Sequence, residues 1–242
     1  PFGDLRKLVA YNMDIDPTKL RFQEHLIEHH LAHAGSAFFP SDFEEAAILS
    51  FDGFGDFVSV MLAHGRGNRL DPFHRIFLPN SLGNFYTSVC QFIGYTKYGD
   101  EGKVMGLAPY GKDSYRKHFE QMVQITDEGF RLNPRYFRTI GAEGGMKVLE
   151  DGSLALGRLF PDKWYGLFGD ARVPYAEITE RDKAMAYGMQ HRFEEATFHL
   201  LRMLHRRVPT EEVAIAGGCA LNSVANGKIF DNTPFQRTWI QP

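Results

Sequence analysis

An apolar run passes directly into an acidic glycine turn in the stretch Ala46-Ala47-Ile48-Leu49-Ser50-Phe51-Asp52-Gly53-Phe54-Gly55-Asp56. Residues 46–51 predict a short buried strand, and residues 57–63 and 75–78 predict two more strands. Aspartates and glycines directly after a buried strand are typical of phosphate-binding turns, because glycine lets the backbone come close to the phosphate group. The alternative is a plain turn, because Asp and Gly are favoured in turns whatever their function. The candidate catalytic residues here are Asp52 and Asp56, and the candidate cofactor-binding residues are Gly53 and Gly55.

Three consecutive strands, the first ending in such a turn, are typical of how one half of an actin-like nucleotide-binding fold begins. The sequence therefore predicts the α/β class. Downstream, a capping box at Thr179 and Asp182 predicts the start of the longest helix. Residues 129–173 have no clear period and predict an irregular insertion. The other predicted elements are helices at 82–93, 113–124 and 220–230 and a strand at 212–216.

Histidines cluster upstream of this turn, in Glu28-His29-His30-Leu31-Ala32-His33. Residues 20–39 predict one helix, which places His29 and His33 one turn apart on a face that also holds His25. Two neutral imidazoles placed in this way can bind one metal ion, although any single histidine is more often hydrogen-bonded or solvated. A zinc peptidase is excluded, because His30 stands where its helix motif needs a glutamate base.

A carboxylate could complete a site of two histidines and one acid. Asp52 and Asp56 have the right chemistry, but the sequence favours a place beside a phosphate over metal ligation for both. Metal-binding and phosphate-binding devices this close together indicate a nucleotide-using enzyme.

Two glycine-rich segments supply further candidates. Gly217-Gly218-Cys219-Ala220-Leu221-Asn222 lies between the strand at 212–216 and the following helix, where glycine lets a backbone approach a nucleotide and helix N–H groups favour phosphate. Its cofactor-binding candidates are Gly217, Gly218 and Asn222, and close packing is the alternative explanation. The second segment, residues 99–111, lacks the spacing of a phosphate-binding loop. Within it, Lys103 or Glu101 is a candidate to reach the site, against the alternative of a solvated charge cluster.

Composition narrows the class of protein. The chain has 242 residues with a formal net charge of −3, so no global basic field indicates a nucleic acid or an anionic membrane as partner. Two distant cysteines, Cys90 and Cys219, argue against a disulfide framework or a cysteine zinc site and fit a reducing cytoplasm. We see no signal peptide and no apolar run long enough to span a bilayer. Because the chain lacks an initiator Met, we expect it to be a piece of a longer protein.

Together these motifs resemble the carbamoyltransferase family that includes nodulation proteins and antibiotic-tailoring O-carbamoyltransferases. The resemblance covers nearly the whole chain and rests on four matching stretches, residues 28–39, 52–56, 98–108 and 217–222. It implies an actin-like ATPase-type fold (ASKHA, ribonuclease H-like), shared with threonylcarbamoyl-tRNA synthesis proteins and the hydrogenase-maturation carbamoyltransferase. It also implies an Fe(II)-type metal on His29 and His33.

The family's reaction runs from carbamoyl phosphate and ATP through carbamoyl-adenylate to a hydroxyl of a small-molecule or oligosaccharide acceptor. A metal bound to the adenylate's phosphate would orient the donor and improve AMP as a leaving group. The resemblance places the 52–56 turn near that phosphate, and Gly217, Gly218 and Asn222 at the nucleoside. Asp52 or Asp56 could deprotonate the acceptor hydroxyl.

The family pattern extends beyond both ends of the chain. Its N-terminal phosphate-binding strands would precede Pro1, and its third metal ligand and C-terminal adenylate-forming domain would follow Pro242. We therefore expect residues 1–242 to be part of one carbamoyltransferase domain that has little activity alone. The alternatives are threonylcarbamoyl transfer to tRNA, which the acidic charge disfavours, a silent nucleotide-binding subunit, and a sugar kinase, which does not need the histidine pair. The acceptor, the metal, the general base and the oligomeric state stay open.

Overall fold

The computed structural model describes residues 4–138, 146–148 and 154–241, which form a mixed α/β structure. Its strands are β1 (Glu45–Gly55), β2 (Val58–Arg66), β3 (Arg69–Phe77), β4 (Val123–Thr126), β5 (Gly129–Leu132), β6 (Met146–Val148), β7 (Leu154–Leu156), β8 (Glu212–Ala216) and β9 (Arg237–Ile240). Its α-helices are α1 (Leu5–Met13), α2 (His29–Phe38), α3 (Leu82–Phe92), α4 (Glu101–Leu107), α5 (Arg116–Met122), α6 (Lys163–Phe168), α7 (Glu180–Arg207), α8 (Ser223–Asn226) and α9 (Ile229–Asn232).

The central sheet has five strands in the order β3-β2-β1-β8-β9. β1, β2 and β3 form an antiparallel meander, whereas β8 pairs parallel to β1 and β9 parallel to β8. The two remaining pairs, β4 with β5 and β6 with β7, are separate two-stranded sheets. The predicted α/β class is confirmed at this level.

Both faces of β1 are covered, which explains its largely apolar run at residues 46–51. Ala46 and Ile48 pack into the cluster under α2, whereas Ala47, Leu49 and Phe51 pack into the larger cluster that contains residues of α3 and α7. Successive side chains of a strand point to opposite faces, so a strand covered on both sides is apolar at nearly every position, and its one buried hydroxyl, Ser50, is hydrogen-bonded to His30. This packing fixes β1 as a rigid central strand of the sheet.

Several predicted boundaries were wrong. The helix predicted at 20–39 is α2, which begins only at His29, so His25 lies outside it and shares no helical face with His29. Residues 20–28 before it instead provide carbonyl groups for tertiary contacts, since Arg6 donates to Leu20 O at 2.7 Å and to Phe22 O at 3.1 Å. The periodicity of apolar residues does not reveal that a distant side chain, here Arg6, binds the backbone carbonyl groups of this segment.

The acidic glycine motif is also placed differently. β1 continues through it to Gly55, and the turn consists of Asp56 and Phe57, whose φ angles are +52° and +64°. The predicted helix at 220–230 is broken into a 3₁₀ turn (Gly218–Leu221), α8 and α9. The side chain of Asn222 accepts from Ala225 N at 2.9 Å and starts the new helix there.

Other predicted elements are confirmed. The helix at 82–93 is α3, the strand at 212–216 is β8, and Thr179 and Asp182 form a complete capping box at the start of the 28-residue α7. The stretch 129–173 holds β5, β6, β7 and α6, while its residues 139–145 and 149–153 lie outside the described part of the chain. Among the described helices, none combines the length and the apolar character needed to cross a bilayer.

Candidate metal centre

Three side chains converge between α2 and β1. His29 Nε2 and His33 Nε2 each lie 3.2 Å from Asp52 Oδ2, and the three potential ligand atoms lie within 4.8 Å of one another. Metal–nitrogen and metal–oxygen bonds of ~2.1 Å separate neighbouring ligands by roughly 3.0 Å in an octahedron and 3.4 Å in a tetrahedron. The observed spacing fits a single divalent ion. The structure therefore brings Asp52 to the histidine pair, which the sequence had allowed but not favoured.

The sheet aims Asp52 at the helix through an irregularity in β1. Between the pairs Phe51–Val60 and Gly55–Val58, β1 advances four residues while β2 advances two. Such a bulge bends the strand and re-aims its side chains, and bulges occur often beside functional sites. The histidines are placed from the other side, because the first and fifth residues of α2 share one face.

Asp52 is held in its charged form. Burial alone would raise the pKa of Asp52, but hydrogen bonds from His33, the Gly53 backbone and His29 outweigh burial and lower that pKa to about 2. The Gly53 N–H donates to Asp52 Oδ1 at 2.6 Å. Oδ2 faces both imidazoles, so the carboxylate presents one oxygen to the cluster while the backbone orients the other.

The predicted glycines are explained largely by close packing around this cluster. A Cβ built on Gly55 would lie 2.0 Å from His29 Cγ, and one built on Gly218 would lie 2.8 Å from Asp52 Oδ1. Gly217 has a φ of +98° and passes so close to β1 that a Cβ would lie 2.3 Å from Phe51 O. Gly53 differs, because its Cβ would meet only Asn84 Oδ1, at 3.9 Å.

His30 belongs to the core. It is fully buried, its Nε2 lies 2.9 Å from Val58 O, and its Nδ1 lies 2.7 Å from Ser50 Oγ. A carbonyl oxygen can only accept, so Nε2 carries the proton and Nδ1 accepts from the serine hydroxyl. Burial lowers the pKa of His30, which keeps the ring neutral. His30 therefore anchors α2 to the sheet, while His25 is exposed in the segment before the helix.

Asp56 and Glu28 secure the start of α2. The His29 backbone N–H donates to Asp56 Oδ2 at 2.9 Å, so Asp56 satisfies one of the unpaired donors at the helix N-terminus. Glu28 is bound by Arg75 of β3 through two hydrogen bonds of 3.0 and 2.7 Å. Sequence reasoning missed Arg75, because no local pattern links residues 47 positions apart.

Two predicted cofactor-binding residues have other partners. Lys103 Nζ donates to Asp100 Oδ1 at 2.7 Å, on an exposed side chain of α4. Asn222 is buried and exchanges two hydrogen bonds of 2.9 Å with Gln190 of α7. Neither side chain bonds to the three clustered residues. Glu101, the other candidate in that segment, accepts from Thr87 Oγ1 at 2.7 Å.

An open depression lies beside the cluster. Its volume is about 500 Å³, and the outward face of α2 and the turn after β1 form its walls. The depression is lined by Ile27, His29, Ala32, His33, Ser36 and Asp56. It therefore gives access to both histidines from solvent.

Comparisons with known proteins identify relatives along the whole described chain. The family model "Carbamoyltransferase N-terminus" matches residues 4–242. The uncharacterized protein sll1178 of Synechocystis sp. is 36% identical over 89% of this chain and 33% of its own length. Nodulation protein NolNO of Sinorhizobium fredii is 33% identical over 98% of this chain and 31% of its own. Nodulation protein NolO of Bradyrhizobium diazoefficiens is 31% identical over 89% of this chain and 35% of its own length.

The chain thus spans about a third of the length of these relatives. A solved CasPhi-2 chain covers 94% of this one, but at a TM-score of 0.24 and 10% identity, which is too low to indicate a shared fold. The family match covers nearly every residue, including the histidine pair and Asp52. The chain belongs to the carbamoyltransferase family and represents its N-terminal domain.

Proposed function

We propose that this chain carries the transfer site of an O-carbamoyltransferase. Carbamoyl phosphate and ATP would supply a carbamoyl-adenylate with release of inorganic phosphate and pyrophosphate. The carbamoyl group would then pass to a hydroxyl of a small-molecule or sugar acceptor, and AMP would leave. The family membership supports the reaction class. The observation that carries the proposal is the cluster of His29, His33 and Asp52, whose ligand atoms are spaced for one divalent ion.

The donor set fits an Fe(II)-type metal. Two imidazoles and one carboxylate leave several coordination positions open for a substrate, which suits Fe(II) and also other divalent ions. We propose His29, His33 and Asp52 as its ligands, with room for a further ligand from elsewhere in the protein. When bound, the metal would polarise the adenylate's phosphate and make AMP a better leaving group.

The surrounding residues would bind and orient the substrates. Asp56 uses one carboxylate oxygen for the His29 N–H, and its other oxygen has no hydrogen-bond donor among the described residues. Since Asp56 lines the open depression, we propose that it accepts a hydrogen bond from the acceptor hydroxyl there. Placing that hydroxyl against the carbamoyl carbon would supply much of the rate acceleration.

The backbone around Gly217 and Gly218 would lie near the nucleotide, because it passes directly beside Asp52. Asn222 and Lys103 are the weaker nucleotide candidates, since Gln190 and Asp100 already bind them.

The sheet supports an actin-like fold for this domain. β1, β2 and β3 are consecutive antiparallel strands, and the acidic glycine motif lies at the end of the first, as expected for the start of one half of an actin-like fold. We propose that the described residues are part of one such domain, which works with a C-terminal adenylate-forming domain in a reducing cytoplasm. Both cysteines are buried and free, which is compatible with that compartment.

Carbamoyl-phosphate-dependent exchange of labelled pyrophosphate into ATP tests the proposal in the full-length protein. We expect exchange only when carbamoyl phosphate is present, because pyrophosphate is released when the adenylate forms. A reaction lacking carbamoyl phosphate is the control. Absence of exchange in folded, iron-loaded protein would overturn the proposed chemistry.

A further inference from the structure

The first turn of α2 is fastened to the sheet at three successive residues. Glu28 binds Arg75 on β3, the His29 backbone binds Asp56 in the turn after β1, and the His30 ring bridges Ser50 of β1 and Val58 of β2. Three strands and a turn of one sheet thus hold a single helical turn. These contacts hold the start of the helix, whereas the burial of Ala34, Ala37 and Phe38 holds its later turns.

The outermost of these contacts is a fork between two charged groups. Arg75 Nε donates to Glu28 Oε1 at 3.0 Å and Arg75 Nη2 donates to Glu28 Oε2 at 2.7 Å. Paired hydrogen bonds of this type fix orientation as well as distance, which a lysine could not do. The two side chains are about 30% exposed.

Glu28, the acidic partner in this fork, is the residue directly before His29. The His29 ring lies so close to Gly55 that even a methyl group there would overlap it. Its Nε2 must also stay 3.2 Å from Asp52 Oδ2. Asp52 and Arg75 belong to the same sheet, so the fork ties the helix that carries the histidines to the strands that carry the carboxylate.

We propose that the Glu28–Arg75 pair is a positioning clamp for the metal centre, which sets the His29 imidazole toward Asp52. This inference rests on the proposed metal site. Glu28 and Arg75 are positioning residues, since neither contributes an atom to the cluster of three ligands. Without the clamp, the first turn of α2 shifts and His29 leaves the ligand geometry, while His33, one turn further along, keeps its place.

A purely structural ion pair would behave differently. An ion pair that is partly exposed to solvent contributes little to global stability, and removing a purely structural pair would leave metal affinity unchanged. Residues that orient a metal ligand without touching the metal typically change metal affinity by about 10- to 100-fold when substituted. Metal affinity, measured apart from stability and activity, therefore separates the two roles.

Cobalt(II) titration of the metal-free full-length protein provides the test, with the visible absorption of bound Co(II) as readout. We expect Arg75→Met to weaken Co(II) binding by about tenfold or more and to alter the absorption band, because one imidazole is lost or displaced. Arg75→Lys keeps the charge but not the fork, so we expect an intermediate loss. Glu28→Gln keeps the side-chain shape and gives a second reading that does not depend on how Arg75→Met folds.

Arg237→Met is the matched control. Arg237 lies on β9 at the opposite edge of the sheet, where it binds Glu212 at 2.6 Å and Asp42 at 3.1 Å. We expect this substitution to change thermal stability as much as Arg75→Met does, with Co(II) affinity and absorption unchanged.

Two results would overturn the clamp. Co(II) binding by Arg75→Met and Glu28→Gln within twofold of the unsubstituted protein, with the same absorption band, would show that the pair is only structural. Absence of Co(II) binding in the unsubstituted protein would remove the metal centre and the clamp together. The pyrophosphate exchange would still test the carbamoyl chemistry in that case, so the two failures are distinguishable.

Discussion

Phe57 occupies a backbone conformation that suits glycine. It is the second residue of the two-residue turn between β1 and β2, its φ is +64°, and its side chain is 77% exposed. A bulky residue there is strained, and Asp-Gly is a favoured pair for a turn with two positive φ angles. We expect Phe57→Gly to raise the free energy of unfolding by about 1 kcal/mol, measured by urea denaturation.

The reverse substitution at a matched position serves as the control. Gly67, in the turn between β2 and β3, has a φ of +57° and open space around it, so Gly67→Ala should lower the free energy of unfolding by about 1 kcal/mol. Unchanged or lower stability in Phe57→Gly would mean that the phenyl ring makes a stabilising contact in solution.

Gly55 and Gly53 are predicted to respond differently to the same added methyl group. Gly55→Ala would place Cβ against the His29 ring, so we expect the free energy of unfolding to fall by about 1–3 kcal/mol and the metal affinity to fall with it. Gly53→Ala has room and should be close to neutral in both measurements. Equal effects of the two substitutions would contradict this account of the His29 packing.

Sequence reasoning reached the histidine pair but not its surroundings. The i, i+4 spacing brings His29 and His33 together in any helix, and the chemistry of imidazole makes them candidate metal ligands. The role of His30 could not be predicted, because it depends on Ser50 and on the Val58 carbonyl across the sheet. The role of Arg75 could not be predicted either, because its partner Glu28 is 47 residues away in sequence.

At the scale of elements, α7 depends on a capping box that the sequence predicted. Thr179 Oγ1 accepts from the Asp182 backbone N–H at 3.3 Å, and Asp182 Oδ2 accepts from the Thr179 backbone N–H at 2.9 Å. We expect Thr179→Ala to lower the free energy of unfolding by about 1 kcal/mol, since two helix-start groups lose their reciprocal arrangement. Thr179→Ser keeps the hydroxyl and should lose much less. A loss of equal size in both variants would point to the threonine methyl group instead of the cap.

Strands were easier to predict than the helix at the site. β1 and β8 have both faces buried and are therefore largely apolar in sequence. The start of α2 was mispredicted by nine residues because apolar periodicity continues upstream of it, through Leu20 and Ile27. The true start depends on Asp56, Arg75 and Ser50, which are distant in sequence and reach the helix only in the folded sheet.

At the scale of the whole molecule, the pairing of distant segments lay beyond local patterns. β8 follows β1 by more than 150 residues, yet it pairs parallel with it and places Gly217 and Gly218 beside Asp52. The local sequence pattern predicted that Gly217 and Gly218 lie near a phosphate. In the folded sheet, a side chain at either position would collide with Phe51 or Asp52 of β1. Asn222 appeared free to bind a ligand, but Gln190 from the middle of α7 meets it in the core.

The stability of the whole molecule should depend on pH through His199 of α7. This ring is half-buried, and its Nε2 donates to Thr126 O at 2.8 Å. Burial lowers the pKa of His199 below its usual value of 6.5, despite the opposing effect of that hydrogen bond. As the pH falls through 6.5, the unfolded chain takes up a proton that the folded chain resists, so the free energy of unfolding decreases.

His199→Gln removes this proton uptake while keeping a donor for Thr126. We therefore expect the variant to lose less stability than the unsubstituted protein when urea denaturation is repeated at pH 7.5, 6.5 and 5.5. His25→Gln, at an exposed histidine outside any described helix, is the control and should follow the unsubstituted protein. If the stability difference between His199→Gln and the unsubstituted protein stays constant over this range, the His199 ring titrates alike in the folded and unfolded states. The burial of His199 would then have no effect on its protonation.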